Sequence, residues 1–153
     1  MATRLGIIVI SGTLDKVLPA FMLATTAASM GWEVGMFFSF YGLTVLHKDL
    51  NKNIPVSPIG NLQVLDEDKT INELTKLTTE QFSKIMKENK MPSLADLIEM
   101  AKSLNIKLYP CNTAMKLFGF KEDELIEGVE KPVGAATFLK FINEAEKTIV
   151  LNF

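Results

Sequence analysis

Residues 5–10 (LGIIVI) are a nearly unbroken apolar, β-branched run that stops at Ser11-Gly12-Thr13. A strand that is apolar at successive positions must be covered on both faces, which is the situation of a strand inside a parallel sheet. Residues 15–30 follow, rich in Ala, Leu and Met, with Gly31 as a helix stop. Residues 33–40 (EVGMFFSF) then repeat the pattern of a buried strand. A strand, a helix and a second strand in this order need a right-handed crossover. The chain is therefore expected to form an α/β fold of three layers, a mostly parallel sheet with helices on both faces.

The uncharged stretch 17–32 raises the question of a membrane span. It falls short of the roughly 20 apolar residues that a spanning helix needs. Pro19, Thr25, Thr26, Ser29 and Gly31 dilute it further, so it reads as a buried helix. The apolar core at the N-terminus is too short for a secretory signal. A net charge of −2 leaves no surplus of Lys and Arg to neutralise phosphates, and no nucleic-acid partner is expected. One cysteine among 153 residues cannot close an internal disulfide, and a lone thiol suits the cytoplasm.

Beyond the second strand, residues 42–50 read as a short helix carrying the only histidine, His47, followed by a loop. Residues 61–90 read as a charged helical insertion in a single domain spanning 1–153, with Thr70 and Glu73 as a capping-box pair. Ser93 and Asp96 mark another helix start, and Leu94, Leu97, Ile98, Ala101 and Leu104 recur at helical spacing. Residues 106–109 form the next strand, running into Pro110-Cys111. A short helix over 112–118 is closed by Gly119. Glu122, Asp123 and Glu124 open a helical segment, residues 128–130 a brief strand, 133–146 a helix and 148–152 a terminal strand.

Open α/β sheets bind ligands beyond the carboxyl ends of their strands. Ser11, Gly12 and Thr13 lie there after the first strand, Tyr41 and Gly42 after the second, and Cys111 with Asn112 after the strand 106–109. A thiol reacts as thiolate, which a helix N-terminus stabilises through unpaired amides and the positive end of the dipole. Cys111 is expected at such a position. An inert, buried cysteine is the competing reading, since free Cys is among the most buried residue types. The SGT turn lacks a phosphate-loop glycine pattern, although its amides could hold an oxyanion. No spacing ties His47 to Cys111 as base and nucleophile, and one Cys with one His provides no zinc-ligand pattern, so no metal is expected.

Several segments in fixed order resemble the DsrE/DsrF-like proteins, in particular their peroxiredoxin-like branch. They are Ser11 to Lys16, Ala27-Ala28-Ser29-Met30-Gly31, Met36 to Leu43, Ser93-Leu94 through Glu99-Met100-Ala101, Cys111, Met115 to Gly119, and Gly134-Ala135-Ala136-Thr137-Phe138-Leu139. The resemblance implies a flavodoxin-like or Rossmann-like sheet and homo-oligomeric assembly; it does not imply a flavin or nicotinamide, and no cofactor is expected. It also implies that Cys111 carries sulfane sulfur as a persulfide, taken from a small donor such as polysulfide or thiosulfate and passed to a TusA-like partner.

With one cysteine there is no internal resolving thiol, which favours relay to another molecule over a self-contained disulfide cycle. The expected function is thus a sulfur carrier or sulfurtransferase. The alternatives are a non-catalytic binding or regulatory module that uses the same crevice and a flavodoxin-like electron carrier. Trp32, Phe37, Phe38, Phe40, Phe118, Phe120, Phe138 and Phe141 are many for one small core, so some are expected to line an interface between copies.

Overall fold

The computed structural model describes residues 3–57 and 79–153. Strands β1 (Thr3–Val9), β2 (Glu33–Phe38), β3 (Lys107–Pro110) and β4 (Lys147–Asn152) form one parallel sheet in the order β3-β2-β1-β4. Helices are α1 (Leu14–Ser29), α2 (Thr79–Glu88), α3 (Leu94–Ser103), α4 (Asn112–Phe118) and α5 (Ala135–Asn143). The chain steps from β1 through β2 to β3 with α1 and α3 packed together on one face. It then returns past β1 to β4, and a right-handed return in the opposite direction must carry α5 on the other face.

The alternation along the strands divides the core accordingly. Phe38 meets Phe21 of α1 with ring centroids 5.9 Å apart, and Leu5, Ile7, Val9, Val34 and Met36 share that face and are buried. The opposite face is notched at two paired positions, Gly6 and Gly35. A Cβ at Gly6 would sit 2.6 Å from Ile142 Cγ2, and one at Gly35 2.4 Å from Phe141 Cε1. Without those side chains α5 settles onto the sheet, and Phe138 stacks on Phe37 at 5.1 Å. The Arg4 guanidinium lies 4.3 Å from the Phe141 ring centre, donates to the Phe141 carbonyl and pairs with Glu33. The cover thins at β4, where Ile149 and Val150 are exposed.

Several expectations are refined. The second strand ends at Phe38 because the Ser39 amide turns to the Val9 carbonyl (3.0 Å) and Phe40 adopts a φ of +47°. Residues 42–50 form no α-helix; 3-10 turns cover Phe40–Leu46 and Leu50–Asn53, with His47 between them. Residues 128–130 are a turn at Gly128 (φ +84°), with no strand. The helix expected from 133 starts at Ala135 because Val133 is engaged with Cys111.

Of the charged insertion, Thr70 and Glu73 lie outside the described residues, while its end forms α2, with Met86 buried. Among the eight aromatics considered for an interface, Phe37, Phe38, Phe138 and Phe141 are core residues and Phe40 is exposed. No helix of the described residues is long and apolar enough to cross a membrane.

Candidate functional site

Cys111 follows β3 directly and is the N-cap residue of α4, with extended backbone angles (φ −76°, ψ 117°). The local sequence explains this position. Pro110 ends the ladder, the small helix-compatible run Asn112-Thr113-Ala114-Met115 continues as α4, and Gly119 closes it at φ +71°, a left-handed conformation that favours glycine. The Cys111 amide donates to the Phe38 carbonyl at 2.9 Å, which locks the residue against the end of β2. The Asn112 amide donates to the Val133 carbonyl (3.0 Å), and the Met115 amide to the Cys111 carbonyl (3.0 Å).

Cys111 is 6% exposed, and its thiol makes no capping bond to the amides of its own helix. Lys116 sits in the last turn of α4. Cys111 stands at the N-terminal end of α4, the end where a helix dipole favours negative charge.

The other expected residues converge on the same end of the sheet. The Gly42 amide donates to the Ile10 and Ser39 carbonyls at 3.1 and 3.0 Å. A Cβ at Gly42 would lie 2.1 Å from the Val9 carbonyl oxygen, and one at Gly12 2.6 Å from the Tyr41 carbonyl oxygen, so the turns after β1 and β2 pack backbone to backbone. Thr13 is the N-cap of α1 without a capping bond; its hydroxyl meets that of Ser11 at 3.0 Å. The amides of Gly12 and Thr13 have no acceptor among the described residues.

Tyr41 is exposed and its ring lies 5.6 Å from that of Phe118 on α4, which ties the β2 turn to the helix carrying Cys111. No hydrogen bond among the described residues joins Cys111 to Ser11 or Thr13. Asn112 is half-buried and lines a pocket of about 270 Å³ with Met115, Lys116, Phe120 and Lys121.

His47 is not part of a Cys–His pair. Its Nδ1 accepts from the Asp49 and Leu50 amides (3.2 and 3.4 Å), and its ring meets Phe120 edge-on at 4.9 Å. With Nδ1 accepting, the neutral ring carries its proton on Nε2. Among the described residues no group of three potential metal-ligating side chains comes together.

Sequence reading missed the row His47, Phe120, Phe118 and Tyr41, with successive centroids 4.9, 5.8 and 5.6 Å apart. It also missed the pairing of Val133 with Cys111. Aromatics at 118 and 120 beside a helix-closing glycine were the available hint for the first. Nothing local signals the second.

A family model described as DsrE/DsrF/DrsH-like matches residues 1–150. The chain is 34% identical over 153 residues to the sulfur carrier protein DsrE2 of Allochromatium vinosum, covering 94% of each. It is 28% identical over 157 residues to the uncharacterized protein YrkE of Bacillus subtilis, covering 97% of this chain and 96% of that one. Among solved structures, MTH1491 of Methanobacterium thermoautotrophicum, a protein of unknown function, superposes with a TM-score of 0.58 at 12% identity over 97% of this chain and 98% of its own. YchN of E. coli gives 0.54 at 15% identity over all of both chains. At these identities the structures speak to the fold.

Proposed function

This chain belongs to the DsrE/DsrF/DrsH-like family, and from that premise we propose that it is an intracellular sulfur carrier holding sulfane sulfur as a persulfide on Cys111. The observation that carries the reading is the position of the only thiol. It caps a helix at the carboxyl end of the sheet in a chain 34% identical to a named sulfur carrier. In loading, the Cys111 thiolate attacks the outer sulfur of thiosulfate or a terminal sulfur of polysulfide. A new S–S bond forms, and sulfite or the shortened polysulfide leaves with the electron pair of the broken bond. In unloading, the thiolate of a TusA-like or other partner attacks the outer sulfur of the persulfide and Cys111 thiolate is the leaving group.

The unengaged amides of Gly12 and Thr13, with Ser11, Tyr41, Gly42 and Asn112 around the same end of the sheet, are the candidate contacts for the anionic donor. A reducing cytoplasm suits a carrier that works through one unpaired thiol. Self-association would use the exposed apolar groups Phe40, Tyr41 and Leu117, and light scattering at micromolar concentration tests it.

The burial of Cys111 favours one other reading, a binding module of the same fold in which the thiol only fills the wall of the crevice. Mass spectrometry after incubation with polysulfide or thiosulfate separates the two. A carrier gains whole sulfur atoms, loses them to dithiothreitol and gains none as Cys111→Ser. A thiol that stays unmodified when folded and reacts only after unfolding ends the carrier reading.

A further inference from the structure

We infer that residues 129–133 form a strap whose local opening governs access to the Cys111 thiol, so that sulfur enters and leaves by a gated route. The inference rests on the carrier reading above and adds a control to it. Cys111 is held on one side by β2, through its amide to the Phe38 carbonyl at 2.9 Å. On the other side lies Val133, which brackets it: the Val133 amide donates to the Pro110 carbonyl (2.9 Å), and its carbonyl accepts from the Asn112 amide (3.0 Å). Residues paired in this way present their side chains to the same face. Val133 is thus the lateral neighbour of the thiol.

The two sides differ in how firmly they are built. Phe38 belongs to a strand hydrogen-bonded on both edges, and its side chain is fully buried. The strap has no fully buried residue: Glu130 and Lys131 are exposed, and Val129, Pro132 and Val133 are half-buried, with only the two valines resting against the core. Beyond the two bonds at Val133, its ladder to β3 consists of the Glu130 amide to the Leu108 carbonyl at 2.8 Å, and Pro132 has no amide to add. Glycines stand at both ends. Gly128 turns at φ +84°, and a Cβ at Gly134 would meet nothing nearer than Asn112 Oδ1 at 3.9 Å. A segment with no fully buried side chain, held to its neighbours by three backbone bonds, opens below the cost of global unfolding. Opening this one uncovers the flank of Cys111, a residue that is only 6% exposed in the closed form.

The test is the labelling rate of the native protein by a chromogenic aromatic disulfide, which reads Cys111 alone because the chain has no other cysteine. Glu130→Pro removes one strap bond and is expected to raise the rate about fivefold, the equilibrium worth of one net hydrogen bond. Gly134→Ser stiffens a hinge and supplies a better N-cap for α5, and should slow labelling. Ser93→Ala weakens the first turn of α3, at the opposite end from Lys102, which lies beside the hinge Gly128, and should leave the rate unchanged. An unchanged rate in Glu130→Pro overturns the gate, and so does equal acceleration in Ser93→Ala, which would assign labelling to global unfolding. If Glu130→Pro does not fold, amide exchange decides: a Val133 amide as protected as those of β1 and β2 also overturns it. Labelling needs no sulfur donor, so the gate and the carrier reading can fail separately.

Discussion

Replacing Gly42 by alanine should be among the most damaging single-methyl changes available in this chain. The added Cβ would stand 2.1 Å from the Val9 carbonyl oxygen, 2.7 Å from its carbon and 3.2 Å from the Ile10 nitrogen. All three are backbone atoms of β1 or its end, so no flexible side chain can move aside. Relief requires the turn after β2 to lift away from β1. That movement weakens the bonds from the Gly42 amide to Ile10 and from the Ser39 amide to Val9.

Overpacking costs about 1–3 kcal/mol, and two weakened backbone bonds add about 1 kcal/mol each. The total is roughly 3–5 kcal/mol, a large part of the 5–15 kcal/mol typical of a domain. Urea unfolding followed by the fluorescence of Trp32, the sole tryptophan, measures it. With a slope of about 2 kcal/mol/M, the midpoint should fall by about 2 M. Gly134→Ala, with nothing nearer than 3.9 Å, is the control and should change stability by under about 1 kcal/mol. If Gly42→Ala unfolds within about 1 kcal/mol of the parent, the close backbone approach at the carboxyl end of the sheet is wrong.

Ser93→Ala dismantles the capping box of α3, in which Ser93 Oγ accepts from the Asp96 amide at 3.2 Å and the Asp96 carboxylate accepts from the Ser93 amide and hydroxyl. It should cost about 1 kcal/mol and lower the melting temperature by about 2–4 °C in calorimetry. Those same bonds, the Ser93 hydroxyl foremost, hold the Asp96 carboxyl below its ordinary value of 3.8. Its stabilisation is therefore present above that value and lost as pH falls through the folded one; in NMR titration Ser93→Ala should return the carboxyl toward 3.8. Tyr109 moves the other way. Burial, with a smaller contribution from Glu130, raises its phenol above 10.0, so the folded form keeps the proton longer than the unfolded chain does. Stability should decline as pH rises beyond 10.0 toward the folded value, and phenolate absorbance in native and denatured protein should show the later titration.

What the sequence by itself determined is local. The run 5–10, the helix stop at Gly31, the Ser93–Asp96 cap and the Gly119 closure each depend on residues a few positions apart, and each appears in the fold within a residue or two. Placing Cys111 at the head of a helix needed only the order strand, Pro, Cys, helix former. The tertiary structure decided what no neighbour in sequence encodes. Gly6 and Gly35 look like weak strand residues until α5 is seen packed over them through Phe141 and Ile142. His47 shows no tie to Cys111 in sequence, and only the fold reveals what its Nδ1 does instead, accepting two backbone amides. Residues 128–130 read as a brief strand, yet the segment forms none, and its hydrogen bonds run to Leu108, Pro110 and Asn112. Side-chain periodicity reports a segment's own conformation; which backbone it pairs with, and whether a thiol ends up covered, depends on packing between distant segments that only the folded chain brings together.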